Sequence, residues 1–177
     1  MNDPLKDALQ ELQRTLQAEM AQKFKRRVSI GDLLTDRWEN ARKLGWGEGS
    51  SCYDNVLVLG DVKVGRKTWI GPNVILDGSA PGGLVIGEYC TISAGVQIYT
   101  HDSVAWSTSM GEAPLVRKPT RIGSGVYVGP NTIIGMGITV GDRAVIGAMS
   151  FVNKDVPGGA KAFGCPVRFG ATEGGAK

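Results

Sequence analysis

The chain is 177 residues long, the size of one domain, and can bury a core of its own. A net charge of +3, small and dispersed, gives no basis for a nucleic-acid partner but suits an anionic cofactor. Three cysteines, Cys52, Cys90 and Cys165, are odd in number and far apart, which argues against a disulfide framework or a CxxC metal site and for a reducing, cytoplasmic setting.

From Leu5 an apolar stripe runs through Leu9, Leu12, Leu16, Met20 and Phe24 at spacings of three and four, one face of a helix that must dock on something. Asp3, Asp7, Glu11 and Glu19 argue against a signal peptide, and no apolar run approaches the length of a membrane span. The basic run Lys23, Lys25, Arg26 and Arg27 reads as a solvated helix end before it reads as a site for anionic lipid or polyphosphate. A second helix is expected from about Asp32 to Leu44, with Leu34, Trp38 and Ala41 on one face and Gly45 capping it. Residues 1–50 thus read as an N-terminal helical extension.

From Val58 the chain repeats every six residues. Aliphatic side chains stand at Val58, Val64, Ile70 and Leu76, then at Ile86, Ile92 and Ile98, then at Ile122, Val128, Ile134, Val140, Ile146 and Val152. Glycine follows at Gly65, Gly71, Gly87, Gly123, Gly129, Gly135, Gly141 and Gly147, which accounts for much of the chain's 26 glycines, about twice the usual share of roughly 7%. A small or β-branched residue takes the fifth place, among them Val74, Cys90, Thr132 and Ala144. Neither a helix, with period 3.6, nor an ordinary strand, with period 2, explains a period of six. Short strands joined by tight corners do, each with its aliphatic residue inward and its glycine admitting a close backbone approach. A sandwich of short strands is the competing reading, but sandwich strands keep no such invariant repeat.

The segments IGPNV, IGEYC, VGPNT and VGDRA make residues 52 to 170 resemble the hexapeptide-repeat acyltransferases. ISAGVQIYTHD, VIGAMSFVNKDVP and the ending GCPVR are similar to the sugar and xenobiotic O-acetyltransferase branch. VLGDVKVGRKTWIGPNVILDGS looks like a bacterial subgroup associated with surface-polysaccharide modification. The resemblance implies a mainly β fold, a single-stranded left-handed parallel β-helix over 51–170 with a short C-terminal tail at 171–177. It also implies a homotrimer with active sites at subunit boundaries, acetyl-CoA as cosubstrate and a small sugar acceptor. The left hand runs against the usual rule for parallel crossovers and rests on the resemblance alone.

The repeat breaks near 77–85, around DGSAPGG, and near 103–120, where an extruded loop is expected. Breaks on a rigid scaffold are where sites are built. His101 is the single histidine and sits at the second break, outside a core slot. Acyl transfer to a hydroxyl needs a neutral base near pH 7, which imidazole chemistry provides. His101 is therefore the expected base in a direct transfer without an acyl-enzyme. Its orienting partner is expected from another coil, not from adjacent Asp102, which stands in a corner slot and is either buried there or already outside the coil. By the resemblance, Trp69, Asp77, Asp102 and Trp106 are expected at the acceptor site, with Met110, Arg117 and Lys118 suited to the loop that walls it. Tyr127, Gly129 and Ala148 are expected along the pantetheine arm of CoA, with Lys154 and Arg168 near its phosphates. Tyr127 departs from the family's frequent Trp, and Cys165 from its more usual Asn.

No metal is expected, since the zinc carbonic anhydrases that share this repeat need three histidines. An N-acetyltransferase of an amino-sugar nucleotide and a non-catalytic trimeric scaffold are the rival functions.

Overall fold

The computed structural model describes residues 3–170; the expected tail at 171–177 lies outside the described residues. Asp3 opens helix α1 (Pro4–Phe24), its carboxylate accepting from the backbone N–H groups of Leu5 and Lys6, and Lys25 closes it with a left-handed φ of 55°. No residue of α1 is buried: Leu5, Leu9, Leu12 and Phe24 are exposed, and Leu16 and Met20 half-buried.

The single helix expected over 32–44 is two, α2 (Ile30–Leu34) and α3 (Arg37–Lys43). Asp36 causes the break. Its carboxylate accepts from the N–H groups of Trp38 and Glu39, which starts a new helix, while Thr35 turns to extended backbone. The shared face is lost with it: Ala41 is buried, but Leu34 and Trp38 are more than half exposed. Gly45, with φ 71°, follows the end of α3 as a left-handed cap residue.

Thereafter the chain coils into three parallel sheets. Face one stacks Ser51–Cys52, Trp69–Ile70, Thr91–Ile92, Tyr127–Val128, Val145–Ile146 and Lys161–Phe163. Face two stacks Leu57–Gly60, Ile75–Gly78, Gln97–Ile98, Ile133–Ile134 and Phe151–Val152, and face three Val62–Val64, Leu84–Ile86, Thr120–Ile122 and Thr139–Val140. Arg168–Phe169 folds back antiparallel on face one. The result is a parallel β-helix with an N-terminal helical extension.

Twelve of the thirteen repeat aliphatics are buried, and the exception, Val58 in the first coil, packs against the core from a half-buried position. Each fully buried Ile or Leu contributes roughly 1.5–3 kcal/mol, so these three inward columns, one per face, supply a large part of the apolar driving force. The repeat glycines are required by the neighbouring coil. A Cβ on Gly65 would stand 2.7 Å from the Gly87 carbonyl carbon, and one on Gly87 2.7 Å from that of Gly123.

The register locates the breaks. Leu57 pairs with Ile75, 18 residues on, and Ile133 with Phe151, again 18; but Ile75 pairs with Gln97, 22 on, and Gln97 with Ile133, 36 on. A coil is therefore 18 residues, with insertions of 4 and 18. Both leave the prism between face two and face three, so they lie at one corner, one coil apart. The expected boundaries shrink accordingly. Asp77 and Gly78 still belong to a strand and Leu84 to the next, so the first excursion is 79–83, not 77–85. Thr120 is a fully buried strand residue, so the second ends before it. That second excursion is not an irregular loop: His101–Asp102 pairs antiparallel with Val116–Arg117 as a two-stranded ribbon, and α4 (Val104–Thr108) follows its outgoing limb.

Candidate active site

The shared corner brings Asp77 and His101 together. Face two aligns Ile75 and Leu76 with Gln97 and Ile98, so the residues that follow, Asp77 and Gly78 above, Tyr99 to His101 below, leave the sheet side by side. His101 Nδ1 lies 2.6 Å from Asp77 Oδ2 and 3.3 Å from Ser79 Oγ. Asp77 is fully buried and saturated. Oδ2 also accepts from the Thr100 N–H at 2.8 Å and the Thr100 hydroxyl at 3.0 Å, and Oδ1 accepts from the Ser79 N–H at 3.0 Å.

Burial alone would push the Asp77 carboxyl up, but hydrogen bonds from the Ser79 side chain, the backbones of Thr100 and Ser79, and His101 together hold it well below the usual carboxylate range. The ionised carboxylate can only accept, so Nδ1 donates to it, and in the neutral ring the Nε2 lone pair is then free. Nε2 makes no hydrogen bond among the described residues, and the side chain is 34% exposed. Such an arrangement can take up a proton at Nε2 while Asp77 holds the ring from behind.

Expected as an acceptor contact, Asp77 instead turns all its hydrogen-bonding capacity to the protein. Asp102 has left the coil: half-exposed in the ribbon, it accepts from the Val104 N–H at 2.6 Å and starts α4. Trp106, on α4, is half-exposed and lies against Gly111, and Met110 projects almost entirely into solvent. Trp69 is not brought to His101; it stands on face one, edge-on to Tyr53 with ring centres 6.2 Å apart.

Tyr127, Gly129 and Ala148 gather along face one and the corner that follows it: Tyr127 lies outward and exposed, and the Gly129 and Ala148 backbones stack directly. Towards the end of the described chain, Lys154 Nζ lies 4.8 Å from the centre of the Phe169 ring, and Arg168 is the residue before that ring on the last strand.

Sequence reasoning missed Ser79, Thr100 and Arg121. Arg121 donates to the Gly83 and Thr120 carbonyls and Arg117 to the Ser79 carbonyl, so the returning limb of the long excursion and the strand after it tie down the short one. A signal was present: each break follows an aliphatic residue of the same face, Leu76 and Ile98.

Residues 119–154 match the family model described as bacterial transferase hexapeptide (six repeats). Among curated proteins nothing matches the sequence. Among solved structures, the hexapeptide-repeat-containing acetyltransferase VCA0836 of Vibrio cholerae is 26% identical over 96% of this chain and 93% of its own, with a TM-score of 0.59. The polySia-specific acetyltransferase NeuO is 25% identical over 73% of this chain and 64% of its own, TM-score 0.58. AntD, an N-acyltransferase of Bacillus cereus, shares the fold at TM-score 0.63 and 21% identity, over 71% of each chain.

The six-residue repeat and the coil it builds are shared with hexapeptide-repeat acetyltransferases. Within that class the chain shares its architecture with the Vibrio cholerae acetyltransferase over nearly the full length of both.

Proposed function

We propose that the protein transfers an acetyl group from acetyl-CoA to a hydroxyl of a sugar or sugar-containing acceptor, with His101 as general base and Asp77 as its positioning residue. The observation that carries this is the His101–Asp77 pair, which engages Nδ1 and leaves Nε2 without a protein partner among the described residues, on a partly exposed side chain beside the long excursion. Bound acetyl-CoA would supply the activated acetyl thioester. Nε2 takes the proton of the acceptor hydroxyl as its oxygen attacks the thioester carbonyl and the C–S bond breaks, then passes that proton to the departing CoA sulfur, and the buried carboxylate stabilises the imidazolium in between.

The cysteines support direct transfer. Burial, with Asp32 and Asp54 adding to it, pushes the Cys52 thiol up to about 12, and burial also raises that of Cys90, so neither offers a thiolate. Tyr127 and the backbones of Gly129 and Ala148 suit an extended pantetheine arm, and the cations Lys154 and Arg168 suit phosphates. VCA0836 also has a structure complexed with acetyl coenzyme A, at 25% identity.

Asp102 and Trp106 line the acceptor side. Trp69 would join them from a second copy in the homotrimer, with sites between subunits, that this reading includes. Residues 51–170 form the catalytic unit and 1–50 its extension. No described helix is long and apolar enough to cross a membrane, and the reading places the enzyme in the cytoplasm, modifying units of a surface polysaccharide.

The test is thiol release from acetyl-CoA with sugars and amino sugars as acceptors. His101→Ala is expected to lower kcat about 10²-fold or more with CoA affinity kept. Turnover near wild type would remove His101 as base, and faster turnover of amino sugars would replace O- with N-transfer.

A further inference from the structure

The returning limb of the ribbon sets an arginine beside the histidine. Arg117 is the register partner of His101, and its Nη1 donates to the Ser79 carbonyl oxygen at 3.1 Å, while the Ser79 hydroxyl lies 3.3 Å from His101 Nδ1. Guanidinium and imidazole are thus fastened to the same residue. The Arg117 side chain is exposed, and among the described residues it forms no ion pair.

The nearby carboxylates do not claim it. Asp77 is buried and saturated, and Asp102 accepts from Val104 at the start of α4. Arg121, on the face-three strand that follows the limb, differs: its guanidinium lies against the Gly83 and Thr120 carbonyls. Arg117 is therefore held by one hydrogen bond with its other donors open, at the rim of the site where the acceptor hydroxyl must lie. A planar guanidinium fixed in this way matches a carboxylate or phosphate, and a neutral sugar would leave most of its donors to solvent.

We propose that the acceptor is anionic, a saccharide carrying a carboxylate or a phosphate, and that Arg117 binds that charge and so turns the hydroxyl toward His101. This rests on the acyltransferase reading above, and it is tested first by binding, which needs no turnover. Calorimetry on the full chain with CoA present would compare methyl glucuronide, glucose 1-phosphate and neutral methyl glucoside, in wild type, Arg117→Ala and Arg117→Lys.

At least one anionic sugar is expected to bind wild type about 10- to 100-fold more tightly than Arg117→Ala, as for a lost charge-assisted hydrogen-bonding pair, with Arg117→Lys between them. Neutral glucoside should bind wild type and Arg117→Ala alike, and CoA affinity should not change. The uronate and phosphate arms separate the two sources of charge. Equal affinity of wild type and Arg117→Ala for both anions would overturn the proposal, as would equal weakening of neutral and anionic sugars, the mark of a purely structural arginine, or weakened CoA binding. Thiol release with the same acceptors reads the chemistry separately: binding that depends on Arg117 without any turnover keeps the anion site and sinks the acyltransferase reading.

Discussion

Replacing Asp77 by Asn removes a charge while keeping shape, and the geometry sets the expected loss. Oδ2 accepts from three donors and Oδ1 from one, all within 3.0 Å, and the carboxylate itself is fully buried. An amide has one accepting atom, so one of these sides meets an NH2 group donor to donor. That leaves a buried group unsatisfied, at about 1–3 kcal/mol of stability. In catalysis, the hydrogen bond to the forming imidazolium loses its charged partner, worth about 1.5–3 kcal/mol, which at 1.36 kcal/mol per decade is roughly 10- to 100-fold in kcat. Initial rates of thiol release, with chemical denaturation to confirm folding, measure both. A folded Asp77→Asn enzyme within twofold of wild-type kcat would refute the claim that Asp77 fixes the ring.

The same carboxylate makes stability depend on acid. Its folded-state pKa is depressed from an ordinary value near 3.8, so its contribution is full above that pH and is lost as pH falls toward the folded value. The stability gap between wild type and Asp77→Asn should narrow steadily below about pH 4, and a gap that stays constant in denaturation curves down to pH 2 contradicts the assignment. Ile98→Ala, at a fully buried site one residue column from the second break, should cost about 2–5 kcal/mol by the same measurement, and a loss below 1 would mean the column is not packed. Gly65→Ala forces a Cβ against the Gly87 backbone and should cost about 1–3 kcal/mol, although Gly65 has no need of a positive φ. Removing residues 1–27 takes away no buried residue of α1 and should leave the thermal midpoint within a few degrees; collapse on truncation would make α1 part of the core.

The coil was legible because its period is commensurate with its geometry: three hexads close one turn, so every inward residue recurs at a fixed slot and burial follows directly. What lay beyond periodicity was harder to read. The Asp36 cap competes locally with a helical stripe that runs across it, and a stripe count does not register that competition. The partner of His101 sits 24 residues earlier, a distance set by one 18-residue coil, the 4-residue insertion and the two positions by which His101 lies further along the strand than Asp77's register partner Tyr99. Counting in coils instead of hexads would have placed both breaks at one corner. Trp69 was assigned by likeness to an acceptor site, and only the face assignment shows that one chain cannot deliver it there.

The closure of the long excursion has a wider consequence. Its two limbs are tied where they leave the prism, the Lys118 N–H donating to the Thr100 carbonyl at 2.9 Å, and the coils above and below it stay in register, Leu84 opposite Thr120. Lengthening an already closed loop costs little, about 0.6 kcal/mol for each doubling. The ribbon can therefore be exchanged or rebuilt as a cassette while the stacked coils, and the corner where they bring Asp77 and His101 together, remain as they are.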